Sequence, residues 1–501
     1  MATVETLGNV ASLGYFIPEL VLTAAVLVIL LADIFGAERK DFDSMGLLAL
    51  GGTLTAFFAH VGLYAKPPVF LFEGMLAHDM FSAFFRGFFL LATALVILMT
   101  LFSREVIYLK KGEFYAILLS VTIGMCVVSA SADLVIFYLS LELLSIGSYL
   151  LAGFSRTVGR SDEAALKYVL YGGVSTGVLL FGLSLLYGLT GTTGFAGIQA
   201  ALAASQSGYD LAAYVIFLMF LVGAGYKIAA VPFHFWAPDV YEGAPTPVTA
   251  YLSVASKGAG FALLIRFFYS TMLRQPAAGG PWLEAGALNL DWTFHIALLS
   301  VVTMTLGNLA AIVQTNLKRL LAYSGIAHAG YVLMGVCVLS DQGLEAVIFY
   351  LVIYLFTNLA AFLVVIMMVE AAGDERLAGV RGLWSRSPYT AVLMTIALFS
   401  LIGLPPTGGF VGKYILFIAV LQEKLYWLAV AAALNTVVSL YYYARIIKAM
   451  LLEDAPAAGT IRFHPAYTGL LVALTVPVLY FGLWWDPLIR YARYCVTLLH
   501  G

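Results

Sequence analysis

"GAGYKIAAVPFHFWAPDVYEGAPTP", residues 223–247, sets Lys227 and His234 among apolar residues and adds four prolines, Pro232, Pro238, Pro245 and Pro247. A proline removes a backbone donor and clashes one turn back, so a helix that ends near Lys227 leaves carbonyls without helical partners. In hydrocarbon, such a break is tolerated only where protein or water satisfies the freed groups. The same combination recurs in "LIGLPPTGGFVGKYILF", residues 401–417, where Pro405, Pro406, Gly408 and Gly409 precede Lys413. Two proline-interrupted apolar segments, each with one lysine and about 185 residues apart, are the pattern of a membrane transporter built from two repeats.

The rest of the chain has the composition such a reading needs. Of 501 residues, 62% are hydrophobic and 11% charged, against about 25% charged in a soluble domain; the mean hydropathy is +0.95. Apolar runs long enough to cross about 30 Å of hydrocarbon as helix recur throughout. They fall at 15–35, 45–64, 79–102, 114–130, 132–153, 163–189, 211–231, 246–270, 293–315, 319–339, 343–369, 388–420, 425–447 and 466–484. The fold class is therefore all-α, a polytopic membrane protein of about fourteen helices. A spanning β-barrel would show short segments alternating apolar and polar, and these runs do not alternate. The count divides the chain into spans 1–3 (1–113), a first repeat over spans 4–8 (114–270), a second over spans 9–13 (293–447), and span 14 with the tail (464–501). An odd number of spans per repeat makes the two repeats inverted in the membrane.

The first cation is Arg39, so no basic leader precedes span 1, which is expected to be retained. Cys126, Cys337 and Cys495 are far apart and form no C-x-x-C, which argues against an iron–sulfur cluster, a zinc site or a disulfide framework. The net charge is −2, and no nucleic-acid partner is expected. The cations are unevenly placed. Connections after odd-numbered spans carry Arg39, Lys40, Arg104, Lys110, Lys111, Arg156, Arg160, Lys318, Arg319, Arg376, Arg381, Arg386, Arg445, Lys448 and Arg462; the other side carries Lys66, Arg274, Lys424, Arg490 and Arg493. The positive-inside rule puts the odd connections in the cytoplasm and both termini outside.

Six cations remain inside spans: Arg86, Lys167, Lys227, Lys257, Arg266 and Lys413. A charge at the centre of a membrane helix costs about 2.5–3.5 kcal/mol even on insertion scales, so each calls for a partner, a watery cavity or a role. Lys257, and Glu142 in "DLVIFYLSLELLSIGSYLL", lie roughly 15 Å deep. Arg86 and Arg266 lie near span ends, where snorkelling is expected. Lys167 follows Glu163 by one turn, so a helix-surface ion pair competes with a functional role. His234 lies two turns beyond Lys227, on the same face if helix resumes, and His328 sits mid-span; each is either a hydrogen-bonded packing residue or a proton relay.

Desolvation disfavours an ammonium, and a nearby carboxylate restores it, so a buried lysine whose carboxylate partner approaches and withdraws is a switchable proton carrier. That chemistry suits Glu142 with Lys227, and Lys257 passing protons to His328 and Lys413. "TGGFVGKY" is not a phosphate loop, because Thr407 stands where the first glycine belongs and Tyr414 replaces the magnesium-binding hydroxyl residue. "GLTGTTGFAG" at 188–197 does not form a dinucleotide fingerprint and is expected to be a flexible outer loop. No histidines are paired at metal or haem spacing, so the chain is expected to hold no redox group, cofactor or metal of its own.

"LKYVLYGGVSTGVLLFGLSLLYGLTG" (166–191), "VPFHFWAPDVYEGAPTPVTAYLSVASKGAGFALL" (231–264), "QTNLKRLLAYSGIAHAGYVLMG" (314–335) and "GLPPTGGFVGKYILF" (403–417) together carry a resemblance. Over nearly its whole length the chain resembles the antiporter-like subunit N family of proton-pumping NADH:quinone oxidoreductase, respiratory complex I. The resemblance implies fourteen helices in two inverted five-helix repeats with discontinuous helices 7 and 12. It places the family's proton-carrying groups on Glu142, Lys227, Lys257 and Lys413, with polar-axis positions at Lys167, His234 and His328. It implies that NADH, FMN, iron–sulfur clusters and a quinone are handled in other subunits. The partners it implies are the other antiporter-like and small membrane subunits, the peripheral redox arm beyond them, and the lipid of a bacterial inner membrane.

Sister subunit M typically has a glutamate where Lys413 stands, and sister subunit L adds spans and a lateral helix after the point where this chain ends. Subunits of multi-subunit Na⁺/H⁺ antiporters share the length and the repeat and are the alternative reading. A purely scaffolding subunit would have no use for the deep Glu142 and three deep lysines.

Overall fold

The computed structural model describes residues 5–36, 43–107, 111–155, 159–204, 210–274, 282–284, 291–455, 460–496 and 498. Arg39, Lys40, Lys110 and Arg156 of the cation pattern lie outside the described residues. The first helices are α1 (Ile17–Ile34), α2 (Ser44–Val61), α3 (Met80–Thr100), α4 (Lys111–Ala130), α5 (Leu134–Ala152), α6 (Gly159–Thr190) and α7 (Asp210–Ile228). After the short α8 (Trp236–Gly243) come α9 (Thr246–Thr271), α10 (Trp292–Ile312), α11 (Leu317–Cys337) and α12 (Asp341–Ala372). The chain continues with α13 (Pro388–Ile402), α14 (Gly408–Gln422), α15 (Tyr426–Leu452), α16 (Pro465–Leu483) and α17 (Asp486–Cys495).

Among the described residues, thirteen helices are long and apolar enough to cross a membrane. The remaining expected span, 388–420, is divided into α13 and α14, of 15 residues each. The structure thus has the nearly all-helical membrane architecture that the hydropathy pattern predicts. Among the described residues, strands are confined to two small hairpins, one pairing Val69–Leu71 with Leu76–His78 and one pairing Leu273–Arg274 with Leu283–Glu284. The centre of the bundle is α9, buried along its whole length, with α11 and α12 around it. A π turn at Leu252–Ser256 interrupts α9 immediately before Lys257; such bulges inside helices are frequent at functional sites.

Both prolines-and-lysine segments are helix breaks. α7 ends one residue after Lys227, residues 230–235 are non-helical, and α8 starts at Trp236. His234 therefore lies in the turn, half-buried, and the expectation that resumed helix puts it on the face of Lys227 is not met. The reason is Pro232: with no amide hydrogen to give, it holds the chain out of helix for longer than the spacing suggests.

The second break is closed by glycines. Gly403 caps α13 in the left-handed region (φ +89°), and its amide and that of Leu404 both reach Phe399 O at 2.9 Å, an arrangement glycine adopts without a Cβ penalty. A Cβ on Gly409 would stand 1.9 Å from Ser400 O, so this glycine is what lets α14 lie against α13. Gly409→Ala is therefore expected to destabilise the subunit by about 1–3 kcal/mol through overpacking; a thermal-shift measurement on the assembled complex checks it.

Arg86 and Arg266 do not snorkel. Arg86 Nε donates to Glu19 Oε1 at 2.7 Å, with both side chains at most 2% exposed. Arg266 grips Asp79 with two nitrogens, Nη1 to Oδ2 at 2.6 Å and Nη2 to Oδ1 at 2.7 Å, and its Nε donates to Ser129 O at 2.9 Å. Their partners stand on other elements, α1 and the N-cap of α3, which position along a single helix does not reveal. The stretch 188–197 is not a loose loop either: α6 runs to Thr190, a turn at 191–194 follows, and Phe195 is buried at the start of the helix Phe195–Ala204. The three cysteines are buried and unpaired.

Candidate functional site

Helix breaks and deep polar residues meet in one band through the middle of the bundle. On α5, Glu142 is half-buried and its Oε1 is buried without a hydrogen-bond partner. Ser145, one turn further on, accepts a hydrogen bond from Lys227 Nζ at 3.3 Å. Lys227 is 2% exposed and is held by Ser145 rather than by an ion pair with Glu142. Its ammonium also lies 6.0 Å from the ring centre of Tyr168.

Beyond Tyr168 the band continues into α9. The hydroxyls of Tyr168 and Ser256 are buried and near each other, and neither has a close hydrogen-bond partner. Ser256 directly precedes Lys257, at the end of the π turn. Lys257, 4% exposed, donates to Gly325 O at 2.6 Å on α11. A Cβ on Gly325 would come within 2.9 Å of that ammonium and 3.1 Å of Tyr354 Oη.

One turn along α11 is His328, fully enclosed. Its Nδ1 is 2.6 Å from Tyr350 Oη and its Nε2 is 3.2 Å from Tyr443 Oη, which is itself hydrogen-bonded to Ser324. A cavity of about 10 Å³, enough for one water, lies between His328, Tyr350, Tyr354, Thr357, Ser400 and Gly409. The band ends at the second break. Lys413 Nζ donates at 2.8 Å to Ile402 O, the last residue of α13, and sits 4.3 Å from the ring centre of Tyr331. An ammonium at a helix C-terminus meets both an orphan carbonyl and the negative end of the helix dipole.

Lys167 and His234 stand apart from this band. Lys167, with its side chain 36% exposed, pairs with Glu163 at 2.7 Å and with Asp239 at 2.5 Å. Asp239, on α8, also receives Arg319 Nη1 at 2.5 Å, and that nitrogen reaches Glu242 at 2.9 Å. Burial pushes the Asp239 carboxyl up, but hydrogen bonds from Lys167 and Arg319 outweigh it and hold the group below the ordinary aspartate value. Glu163, Asp239, Glu242 and Arg319 line a cavity of about 130 Å³ at one end of the bundle. His234 contacts the Phe235 ring, and its Nδ1 is buried without a partner. Pro232, Pro405 and Pro406 lie in the two non-helical stretches, as their chemistry requires.

The hydroxyl groups between the charged residues escaped the sequence reading: Ser145, Tyr168, Ser256, Tyr350, Tyr354 and Tyr443. Helical spacing held part of the signal, since Ser145 follows Glu142 by three residues and Ser256 abuts Lys257. Among the described residues, no group of three or more His, Cys, Asp or Glu is arranged to hold a metal ion.

Residues 130–439, more than half of the chain, match a family profile described as "NADH:quinone oxidoreductase/Mrp antiporter, TM". NADH-quinone oxidoreductase subunit N of Anaeromyxobacter sp. (strain Fw109-5) is 45% identical over 513 residues, covering 98% of each chain. The chain belongs to the NADH-quinone oxidoreductase subunit N family. Subunit N 2 of Sorangium cellulosum (strain So ce56) is 42% identical with 99% of each chain covered. A chain of respiratory complex I from Thermus thermophilus, solved with bound aureothin, superposes with a TM-score of 0.76 at 29% identity, covering 94% of this chain and 98% of its own. A chain of the Mrp complex from Dietzia sp. DQ12-45-1b has a TM-score of 0.83 at 22% identity, covering 98% of both, a likeness of fold alone. As a member of subunit N, the chain is a proton-translocating membrane component of the multi-subunit NADH:quinone oxidoreductase, and a translocase in that capacity.

Proposed function

We propose that Glu142, Lys227, Lys257 and Lys413 form a single proton-transfer line across the middle of the subunit, with His328 inside it and Lys167 and His234 supporting it. The observation that carries this reading is the near-continuous run of polar side chains from Lys227 through Ser145, Tyr168, Ser256, Lys257, His328 and Tyr350 towards Lys413, which, unlike the buried Arg86–Glu19 and Arg266–Asp79 pairs, contains lysines with no carboxylate in ion-pair contact. Buried hydroxyls without partners along such a run are groups that water serves. A carboxylate at Glu142 that approaches Lys227 holds its ammonium in place, and one that withdraws releases the proton towards Tyr168, Ser256 and Lys257. Each transfer moves a proton from an N–H or O–H to the next free lone pair and leaves the chain otherwise unchanged. Lys167, tied to Glu163, Asp239 and Arg319 at the rim, collects protons rather than carrying them through the dry interior.

Family membership and the cation pattern support a wider reading. Electrons pass from NADH through FMN and iron–sulfur clusters to a quinone in other subunits, and this chain binds none of these groups. Its neighbours are antiporter-like and small membrane subunits, linked to the peripheral redox arm. It lies in a bacterial inner membrane with both termini outside, and residues 114–270 and 293–447 form the two inverted repeats. In Glu142→Ala and Lys227→Ala complexes reconstituted in vesicles, NADH-driven proton uptake is expected to fall about a hundredfold, the lower end of the range for a lost proton-transfer group; wild-type uptake in both, with normal assembly, would sink the reading. NADH-driven uptake that persists without Na⁺ separates this function from Na⁺/H⁺ antiport.

A further inference from the structure

Between Lys257 and His328 no charged group of the proton line touches the next. Lys257 donates to Gly325 O at 2.6 Å, and both ring nitrogens of His328 are occupied, Nδ1 by the Tyr350 hydroxyl and Nε2 by that of Tyr443. A proton arriving at this imidazole therefore comes through a tyrosine hydroxyl. Tyr354 stands in the interval, on α12 one turn beyond Tyr350. Its side chain is buried, its hydroxyl has no hydrogen-bond partner, and its ring centre is 5.1 Å from that of His328.

The same hydroxyl is close to the ammonium. A Cβ on Gly325 would be 2.9 Å from Lys257 Nζ and 3.1 Å from Tyr354 Oη, so both groups close on one point that the glycine of α11 leaves open. Direct contact or one water covers such a separation. Tyr354 and Tyr350 both line the cavity of about 10 Å³ beside His328, together with Thr357 and Ser400. Tyr443 offers a rival route, but its hydroxyl is engaged by His328 and Ser324. The unpartnered hydroxyl of Tyr354 is free to accept from one neighbour and donate to the next, which a relay has to do. Leaving it unpaired in the dry core is costly, so its retention calls for water or a role.

We propose that Tyr354 is the proton carrier between Lys257 and His328, working with one water in that cavity and with Tyr350. The inference rests on the proton line read above and adds a member to it. An N–H bond of the Lys257 ammonium breaks as an O–H bond forms on Tyr354, whose own proton goes to the water. The water passes a proton to Tyr350, and the proton that Tyr350 held moves across 2.6 Å to Nδ1 of His328. This needs the imidazole tautomer with its hydrogen on Nε2, which then donates to Tyr443. Lys257 ends as the amine and His328 as the imidazolium, while both tyrosines and the water end as they began. Gly325 is the positioning residue, because any side chain there would part the ammonium from the hydroxyl.

Proton uptake per NADH oxidised by the intact complex in vesicles tests this. Tyr354→Phe keeps the ring and its packing and removes only the hydroxyl; uptake is expected to fall about a hundredfold, as for a lost proton-transfer group, with the subunit dissociating at the wild-type temperature. Gly325→Ala meets only the mobile ends of two side chains, so it is expected to assemble, and its methyl group is expected to cost about a hundredfold by displacing the reacting groups. Tyr269→Phe removes an equally buried hydroxyl, one that donates to Val336 O at 3.1 Å outside the line, and is expected to pump at the wild-type level. Lys257→Ala separates this inference from the line it rests on. If Lys257→Ala pumps normally, the line is wrong and Tyr354 falls with it. If Lys257→Ala is inactive while assembled Tyr354→Phe and Gly325→Ala complexes pump normally, the line stands and the role of Tyr354 is overturned. Equal loss in Tyr269→Phe, or loss in Tyr443→Phe with none in Tyr354→Phe, would overturn it as well.

Discussion

Lys413→Ala is expected to reduce NADH-driven proton pumping by about two orders of magnitude or more, the range seen when a positioned proton-transfer group is removed. Lys413 is 4% exposed and is the ammonium at the second helix break, where it holds Ile402 O at 2.8 Å and faces Tyr331. Alanine deletes the carrier and leaves the carbonyl at the end of α13 unserved. Loss of pumping alone would not distinguish a lost carrier from a damaged break, so the second variant is Lys413→Arg. Its guanidinium keeps the charge and a donor for Ile402 O but does not give up its proton. An assembled Lys413→Arg complex is thus expected to be as inactive as Lys413→Ala, measured as proton uptake per NADH oxidised in vesicles. Full pumping by either variant would refute the role assigned to this residue.

The skeleton of the site was legible because its marks are local. Proline beside lysine in an apolar run means a break with a charge next to it, and both breaks are found at 229–235 and 403–407. The depth of Lys257 within its span follows from counting, and α9 proves to be the most enclosed helix of the bundle. What was hidden depends on other elements. Snorkelling was the expectation for Arg86 and Arg266 because each lies near the end of its own helix, yet Glu19 is 67 residues away from Arg86 and Asp79 is 187 away from Arg266. Asp239 carries no mark in the sequence, and only the fold brings Lys167 and Arg319 to its two oxygens. The hydroxyl residues between the lysines carry no charge to stand out against an apolar background. Gly409 is part of the break that the sequence shows, and its contact with Ser400, which the sequence does not show, makes it a packing residue as well.

The fold itself does not choose among the functions of the superfamily. The Mrp chain shares the architecture at a TM-score of 0.83 with 22% identity, and a shared fold does not by itself fix a function. Side chains within that architecture decide, which is why the discriminating experiments alter single residues in an assembled complex and read pumping and oxidation separately.

Asp79→Ala is expected to be the most destabilising of these substitutions. The Asp79–Arg266 pair is at most 1% exposed on either side, and the guanidinium is further held by Ser129 O and stacked 4.8 Å from the Phe81 ring centre. Removing one partner of a buried ion pair strands the other charge in an apolar site and costs about 3–5 kcal/mol. Asp79 also caps α3 through Ser82 N at 2.8 Å, and loss of a cap adds about 1 kcal/mol. Heat-induced dissociation of this subunit from the purified complex measures the effect. Replacing both residues by apolar ones of similar size, as in Asp79→Leu with Arg266→Met, is expected to recover most of the loss, since a well-packed apolar pair has no charge to desolvate. If the single variant dissociates at the wild-type temperature, the pair contributes nothing to the fold; if the double variant is as unstable as the single one, the cost lies in the cap and the packing rather than in the stranded charge.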